Sequence, residues 1–257
     1  MRKAKVLYKG SVYQGYIDDS EVLTDDRSQE KIDLKSDEVK FLPPCQGTMF
    51  ALGLNYADHA AELDFKPPEE PLIFLKGNNT LTGHKGVTVR PDNVDYMHYE
   101  CELVVVIGKK CRNVSEAEAM DYVGGYTVCN DYAIRDYLEN YYRPNLRVKC
   151  RDTCTPTGPW IVDRDDVADP HNLTVRTYVN GELRQEGTTK DIIFSIPFLI
   201  SYLSAFMTLN EGDMIATGTP KGLSDVKHGD FVEVEVEGVG RLANTIITQK
   251  QYEETFQ

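Results

Sequence analysis

Glu100 and Glu102 stand one residue apart at the entrance to the aliphatic run of "MHYECELVVVIG", residues 97 to 108. Alternate side chains of an extended strand share a face, so Glu100, Glu102, Val104 and Val106 line the same one. Strand rise sets the two carboxylates about 6.6 Å apart, and at an effective dielectric of about 20 they repel by about 2 kcal/mol. Removing each ion from water adds a further penalty unless a cation or strong donors answer it. Such a pair requires a positive partner. Downstream, the apolar "YTVC" of "GGYTVCNDYAIRDY" (residues 124 to 137) ends at Asn130 and Asp131. A third carboxylate at that strand end would complete an oxygen-donor set suited to a hard cation, Mg²⁺ or Mn²⁺. The competing expectation pairs the glutamates with lysine or arginine and makes Asp131 a turn residue or N-cap.

An internal control lies in "FVEVEVEGVG", residues 231 to 240, where Glu233, Glu235 and Glu237 alternate with Val232, Val234 and Val236. That is the pattern of an antiparallel strand with one buried and one wet, acidic face. Beyond Glu100 and Glu102 the same face continues in valine, so water is not their obvious neighbour. Candidate cations sit in "YYRPNLRVKCRD", residues 141 to 152, which holds Arg143, Arg147, Lys149 and Arg151. An extended 146–151 segment would align Arg147, Lys149 and Arg151 on one face. They would serve there either as a charged edge that resists aggregation or as donors to substrate carboxylates. In "LGLNYADHAAEL" (residues 52 to 63), His59 and Glu62 share one side of an expected helix over 57–63. A carboxylate beside an imidazole orients it as a general base, although the same spacing is common on ordinary surfaces. "IATGTPKGLSD" (residues 215 to 225) places small residues after an apolar strand, either as a plain turn or as backbone that a ligand can approach.

These groups need a scaffold, and the rest of the chain limits what it can be. With 257 residues, 41% hydrophobic and 27% charged, the chain can bury one large core. A net charge of −13 disfavours nucleic acid and anionic membranes as partners, since both require a basic face. The N-terminal stretch lacks an apolar core of signal-peptide length, and residues 192 to 207 fall short of a membrane span. The six cysteines show no CxxC pair, as expected of free thiols in a reducing, cytoplasmic setting. Residues 1–44 read as a small β appendage: a hairpin from "KVLYKG" and "VYQGYIDD", then a polar loop, "DDRSQEKIDLKSDE". Short β runs dominate residues 45–257, with helices expected near 57–63, from Ser115 with a capping box "SEAE", and from Ser195 to 207. The expected class is α+β, mostly β.

Together, "LGLNYADHAAE", "PLIFLK", "YECELVVVIG", "GYTVCNDYAIRD", Lys149 and "ATGTPKG" occur in the order seen in the fumarylacetoacetate hydrolase family, which the chain resembles from residue 47 to about 247. The resemblance implies a mixed β-roll of layered sheets. It implies Mg²⁺ or Mn²⁺ on Glu100, Glu102 and Asp131, a lid pair in His59 and Glu62, and an active-site lysine in Lys149. Tyr142, Arg143, Arg151, Thr217, Gly218 and Thr219 would face the substrate. "FLKGNNT" lacks the proline that follows the lysine in the family, which weakens the case for a substrate contact at Lys76 or Asn79. The implied substrate is a small 2-oxo di- or tricarboxylate, decarboxylated and isomerised, or alternatively an acylpyruvate hydrolysed at a carbon–carbon bond. The implied assembly is a homodimer or larger, with room for a related second subunit. A non-catalytic β-rich binding module would leave the three carboxylates without a purpose.

Overall fold

The computed structural model describes residues 1–62, 66, 68–138 and 146–255. Among these residues the runs of β-branched and aromatic side chains pair into two main sheets, and the helices are few and short. The larger sheet has twelve strands. Its path runs through Arg2–Tyr8, Thr155–Asp163, Val123–Asn130, Cys101–Ile107, Met214–Ala216 and Met49–Gly53 to an edge at Leu72–Lys76. The second sheet has five strands in the order Glu182–Thr188, Thr174–Val179, Phe231–Val236, Gly240–Thr248 and Gly86–Arg90. A short pair, Met97–His98 with Ala133–Ile134, closes over one end of the central strands.

The Cys101–Ile107 strand is buried along its whole length because both of its faces are covered. Cys101, Leu103, Val105 and Ile107 join Val175, Val234, Val236 and Leu242 of the second sheet, together with Leu199 and Leu203 of a helix, in the main core. On the opposite face, Val104 and Val106 pack with Met49, Ala51, Cys129, Met214 and Ala216. A strand covered on both sides reads as a continuous apolar run, so the acidic pair at its start is conspicuous. The helix Ile196–Phe206 begins as its sequence requires. The Ser195 hydroxyl accepts from the Phe198 N–H at 3.3 Å, Pro197 occupies the first turn, and Ile196, Leu199, Ile200 and Leu203 are buried at helical spacing. No helix among the described residues is long and apolar enough to cross a membrane.

Several local expectations are corrected. Residues 146–149 form a helical turn, Leu146–Lys149, and not a strand. Arg147, Lys149 and Arg151 therefore do not share a sheet face: Arg147 lies over the Tyr137 ring at 4.1 Å, while Lys149 is buried. The polar stretch after Asp25 is not all loop, since Lys31–Asp33 pairs with Val22–Asp25. Ser115 does precede a helix, Glu116–Ala119, but its hydroxyl donates to Glu118 Oε2 at 2.6 Å instead of capping a backbone N–H. The N-terminal hairpin forms between Arg2–Tyr8 and Ser11–Ile17, and its first strand pairs with Thr155–Asp163, so the large sheet runs into it without a break.

Candidate active site

Register brings the three carboxylates together. Cys101 pairs with Asn130 and Glu102 with Cys129 across neighbouring antiparallel strands, which places Asp131 opposite Glu100. Two hydrogen bonds lock this crossing: the Glu100 N–H donates to Asn130 Oδ1 at 2.9 Å, and the Asp131 N–H to the Glu100 carbonyl at 2.9 Å. As a result Glu100, Glu102 and Asp131 are all buried, with one carboxylate oxygen of each within 4.8 Å of the others.

Two lysines enter the same space. Lys149 Nζ donates to Glu100 Oε2 at 2.6 Å and to Asp131 Oδ2 at 2.9 Å. The buried Lys76 ammonium donates to Asp131 Oδ1 and to the Lys149 carbonyl. Ion pairing thus satisfies two of the three acids. Burial is the largest single influence on Glu100 and opposes its ionisation, but Lys149, His59 and Arg135 together outweigh it and hold that carboxyl below the usual range. Burial is likewise the largest influence on Lys76 and Lys149 and opposes their charge, but Asp131 together with Cys154 at Lys76, and with Glu100 and Glu102 at Lys149, outweighs it, so both ammonium groups lose their protons less readily than usual.

Glu102 is the exception. Its Oε2 accepts the Gly218 N–H at 2.7 Å, while its Oε1 is buried without a partner. Burial, then the neighbouring Asp131 and Glu100 carboxylates, push its carboxyl well above the usual carboxylate range. A buried oxygen left unsatisfied beside two other carboxylates fits a cation that the protein's own donors do not supply. With Glu102 ionised as a ligand, three carboxylates against two ammonium groups leave one net negative charge, which a divalent ion would convert to a net positive one able to receive an anionic ligand. An all-oxygen donor set selects a hard ion.

His59 and Glu62 sit on a helix, Ala57–Glu62, near enough to this cluster for His59 to act on Glu100. His59 is buried, and its Nδ1 lies 3.3 Å from Glu62 Oε2. Glu62 Oε1 in turn accepts the Gly222 N–H at 3.0 Å. Asn55 fixes the base of the segment, accepting from the Phe194 N–H at 2.8 Å and donating to the Thr217 carbonyl at 2.9 Å. The turn after Met214–Ala216 holds the cluster through its backbone. Gly218 needs its positive φ of 91°, and a Cβ there would come within 3.1 Å of Asn55. The Thr217 hydroxyl donates to the Leu103 carbonyl at 2.9 Å, and the Thr219 hydroxyl accepts from Gln185 Nε2 at 2.9 Å. Arg151 lies apart, in a depression with Val89, Gln249 and Tyr252. Tyr142 and Arg143 lie outside the described residues.

Residues 48–247 match the sequence model of the fumarylacetoacetate (FAA) hydrolase C-terminal domain. The chain belongs to this family. A relative in Escherichia coli, a 4-hydroxyphenylacetate degradation bifunctional isomerase/decarboxylase, is 74% identical over 209 residues, which cover 81% of this chain and 49% of the relative. The chain thus spans about half the length of that relative. Among solved structures, 5-carboxymethyl-2-hydroxymuconate delta-isomerase from Mycobacterium smegmatis superposes with a TM-score of 0.85 at 35% identity, covering 97% of this chain and 99% of that one. Maleylpyruvate hydrolase from Sphingobium sp. SYK-6, solved with manganese(II) and pyruvate, gives 0.80 at 29% identity, covering 96% and 99%.

Within the FAA hydrolase match the structure adds residues that sequence reasoning passed over. Lys76 carries the same signal as the glutamates, a charge at the end of an apolar strand, but it was weighed only as a substrate contact. Asn79 donates to Asp152 Oδ1 at 2.8 Å and to the Cys150 carbonyl at 3.2 Å, bracing the Lys149 loop. His98 is fully buried, with Nδ1 3.2 Å from the Tyr99 carbonyl and 3.5 Å from Glu100 Oε1. Both neighbours are acceptors, which assigns the proton to Nδ1 and leaves Nε2 as a buried, unpartnered acceptor. Burial, then the Arg135 and Lys149 cations, keep this imidazole neutral. Arg135, four residues beyond Asp131, acts on both His98 and Glu100. No spacing in the sequence marked either residue.

Proposed function

We propose that Glu100, Glu102 and Asp131 hold a divalent cation, Mg²⁺ or Mn²⁺, and that the site decarboxylates 5-oxopent-3-ene-1,2,5-tricarboxylate and isomerises the 2-hydroxyhepta-2,4-diene-1,7-dioate that results. The observation that carries this reading is the buried triad with its one unsatisfied oxygen on Glu102. When bound, the cation supplies Lewis-acid polarisation of a 2-oxo acid. The chain's own groups do the rest. Lys149, whose donors are engaged by Glu100 and Asp131, and Arg135 add positive potential that favours the carboxylates of the substrate. Cleavage of the carbon–carboxylate bond releases CO₂ and leaves the electron pair delocalised onto the 2-oxo oxygen as a dienolate, and uptake of one proton from water at that oxygen gives the 2-hydroxydiene. His59, oriented by Glu62, delivers a proton to carbon as the 2-hydroxyl loses its own, which gives the 2-oxo isomer. Decarboxylation and isomerisation then share one intermediate.

The E. coli and M. smegmatis relatives support this choice by their activities. The Sphingobium relative supports a second reading, in which His59 and Glu62 activate water to hydrolyse an acylpyruvate. One assay separates the two: the ultraviolet absorbance of the tricarboxylate is followed while CO₂ and pyruvate are measured, with acylpyruvates as comparison substrates. CO₂ without pyruvate is the expected result, and pyruvate release selects the hydrolase. The doubled length of the E. coli relative supports a working unit of at least two such domains, either a homodimer or a pair with a related second subunit. The six cysteines, all free thiols, support a reducing, cytoplasmic setting.

A further inference from the structure

Lys76 takes no direct part in the chemistry above, although its ammonium is fully enclosed beside the site. Three protein atoms surround it: Asp131 Oδ1, the Lys149 carbonyl and, at 3.6 Å, Cys154 Sγ. An ammonium has three N–H donors, and each of these faces one of those atoms, so none is left for a substrate. The two contacts reach different functional groups. One holds the far oxygen of Asp131, which leaves Oδ2 turned toward Glu100 and Lys149. The other holds the main chain of Lys149, whose own ammonium clamps Glu100 and Asp131. Cys154 Sγ ties the same carbonyl at 3.1 Å.

We propose that Lys76 is a positioning residue that fixes the Asp131 carboxylate and the Lys149 backbone as one unit, and thereby sets the geometry of the metal-binding triad. The inference rests on the reading of Glu100, Glu102 and Asp131 as metal ligands. Electrostatics and geometry make opposite forecasts here. Lys76 is a positive charge next to a cation site, so Coulomb's law alone has its removal tighten metal binding. As a positioning residue, its removal frees Asp131 to turn onto Lys149 and weakens binding. Partners that orient metal ligands are worth about 10- to 100-fold in affinity.

Calorimetric titration with Mn²⁺ tests this on the wild-type chain, Lys76→Met and Lys76→Gln, with melting of the metal-free proteins as the check on folding. The expected result is a Kd raised about 10- to 100-fold in Lys76→Met and raised less in Lys76→Gln, whose amide still donates to Asp131. The Mn²⁺ electron paramagnetic resonance lines should broaden in both, a change that a merely structural lysine, lowering only the melting temperature, would not produce. If Lys76→Met does not fold, Lys76→Gln carries the test by the same criterion. Either folded variant binding Mn²⁺ as tightly as wild type, or more tightly, overturns the proposal while leaving the metal site intact. Failure of the wild type itself to bind Mn²⁺ overturns the underlying function as well.

Discussion

Two strands of this protein carry glutamates at alternate positions and put the acids to opposite uses. In Phe231–Val236 the valines are fully buried, and the glutamates emerge on a face shared with arginines. Arg241 Nε lies 3.0 Å from Glu233, while Glu235 lies 3.5 Å from Arg241 and 3.7 Å from Arg176. In Cys101–Ile107 both faces are covered, and the acids at its start meet a third carboxylate and two buried lysines. The two-residue spacing of the acids is the same, but their surroundings differ. The apolar company of Val104 and Val106 comes from Met49–Gly53 and Met214–Ala216, strands of the same sheet that are far away in sequence, while the second sheet packs on the other face. The comparison teaches that a period-two pattern fixes which acids share a face, whereas long-range packing decides whether that face is a solvent surface or a site.

Substituting one glutamate on each strand gives the sharpest contrast. On the proposed reading Glu102→Gln removes a metal ligand, and with several kcal/mol of charge stabilisation at stake, turnover is expected to fall at least about 1,000-fold. Glu235→Gln should leave turnover unchanged. Equal losses in the two variants would erase the distinction between the strands. A smaller effect, at least about 100-fold on kcat, is expected for His59→Ala, with Mn²⁺ affinity preserved because His59 is no ligand. A His59→Ala protein that loses its metal would instead place the imidazole within the ligand set.

Much of this contrast was legible beforehand, for identifiable reasons. Glu100, Glu102 and Asp131 were marked because a charge at the end of an apolar strand violates the pattern around it. The Ser195 helix was marked because its apolar run and the serine at its start are local in sequence. Residues 146–149 were misread because "LRVK" alternates charge with apolar side chains in four residues, too short a span for strand and helix periods to differ. His98 and Arg135 left no mark because their roles arise only where the Met97–His98 and Ala133–Ile134 strands meet. Lys76 was visible but assigned to substrate, since sequence does not show that Asp131 and the Lys149 carbonyl already occupy its donors.

Subtler tests follow from the charge states. The Glu102 carboxyl has an ordinary value of 4.5 and is raised well above it in the fold. Above 4.5 the unfolded chain releases this proton while the metal-free native state retains it. The stability of the metal-free protein therefore declines as pH rises through that window and is undiminished below it. A bound cation relieves the penalty, so the gain in Tm on adding Mn²⁺ should be larger at about pH 8 than at about pH 6. A gain independent of pH would mean that Glu102 is already ionised without metal. The smallest effect belongs to the wet strand, where Glu235→Gln should reduce unfolding stability by under about 1 kcal/mol, as for other solvent-screened pairs. A loss of several kcal/mol in chemical denaturation would show that face to be as tightly coupled as the buried one.

The most direct test of the central claim is an anomalous difference map from a crystal soaked in Mn²⁺. The account predicts one strong peak bounded by carboxylate oxygens of Glu100, Glu102 and Asp131. A featureless map at that position, with Lys149 clamping Glu100 and Asp131 and no ion beside Glu102, would contradict it.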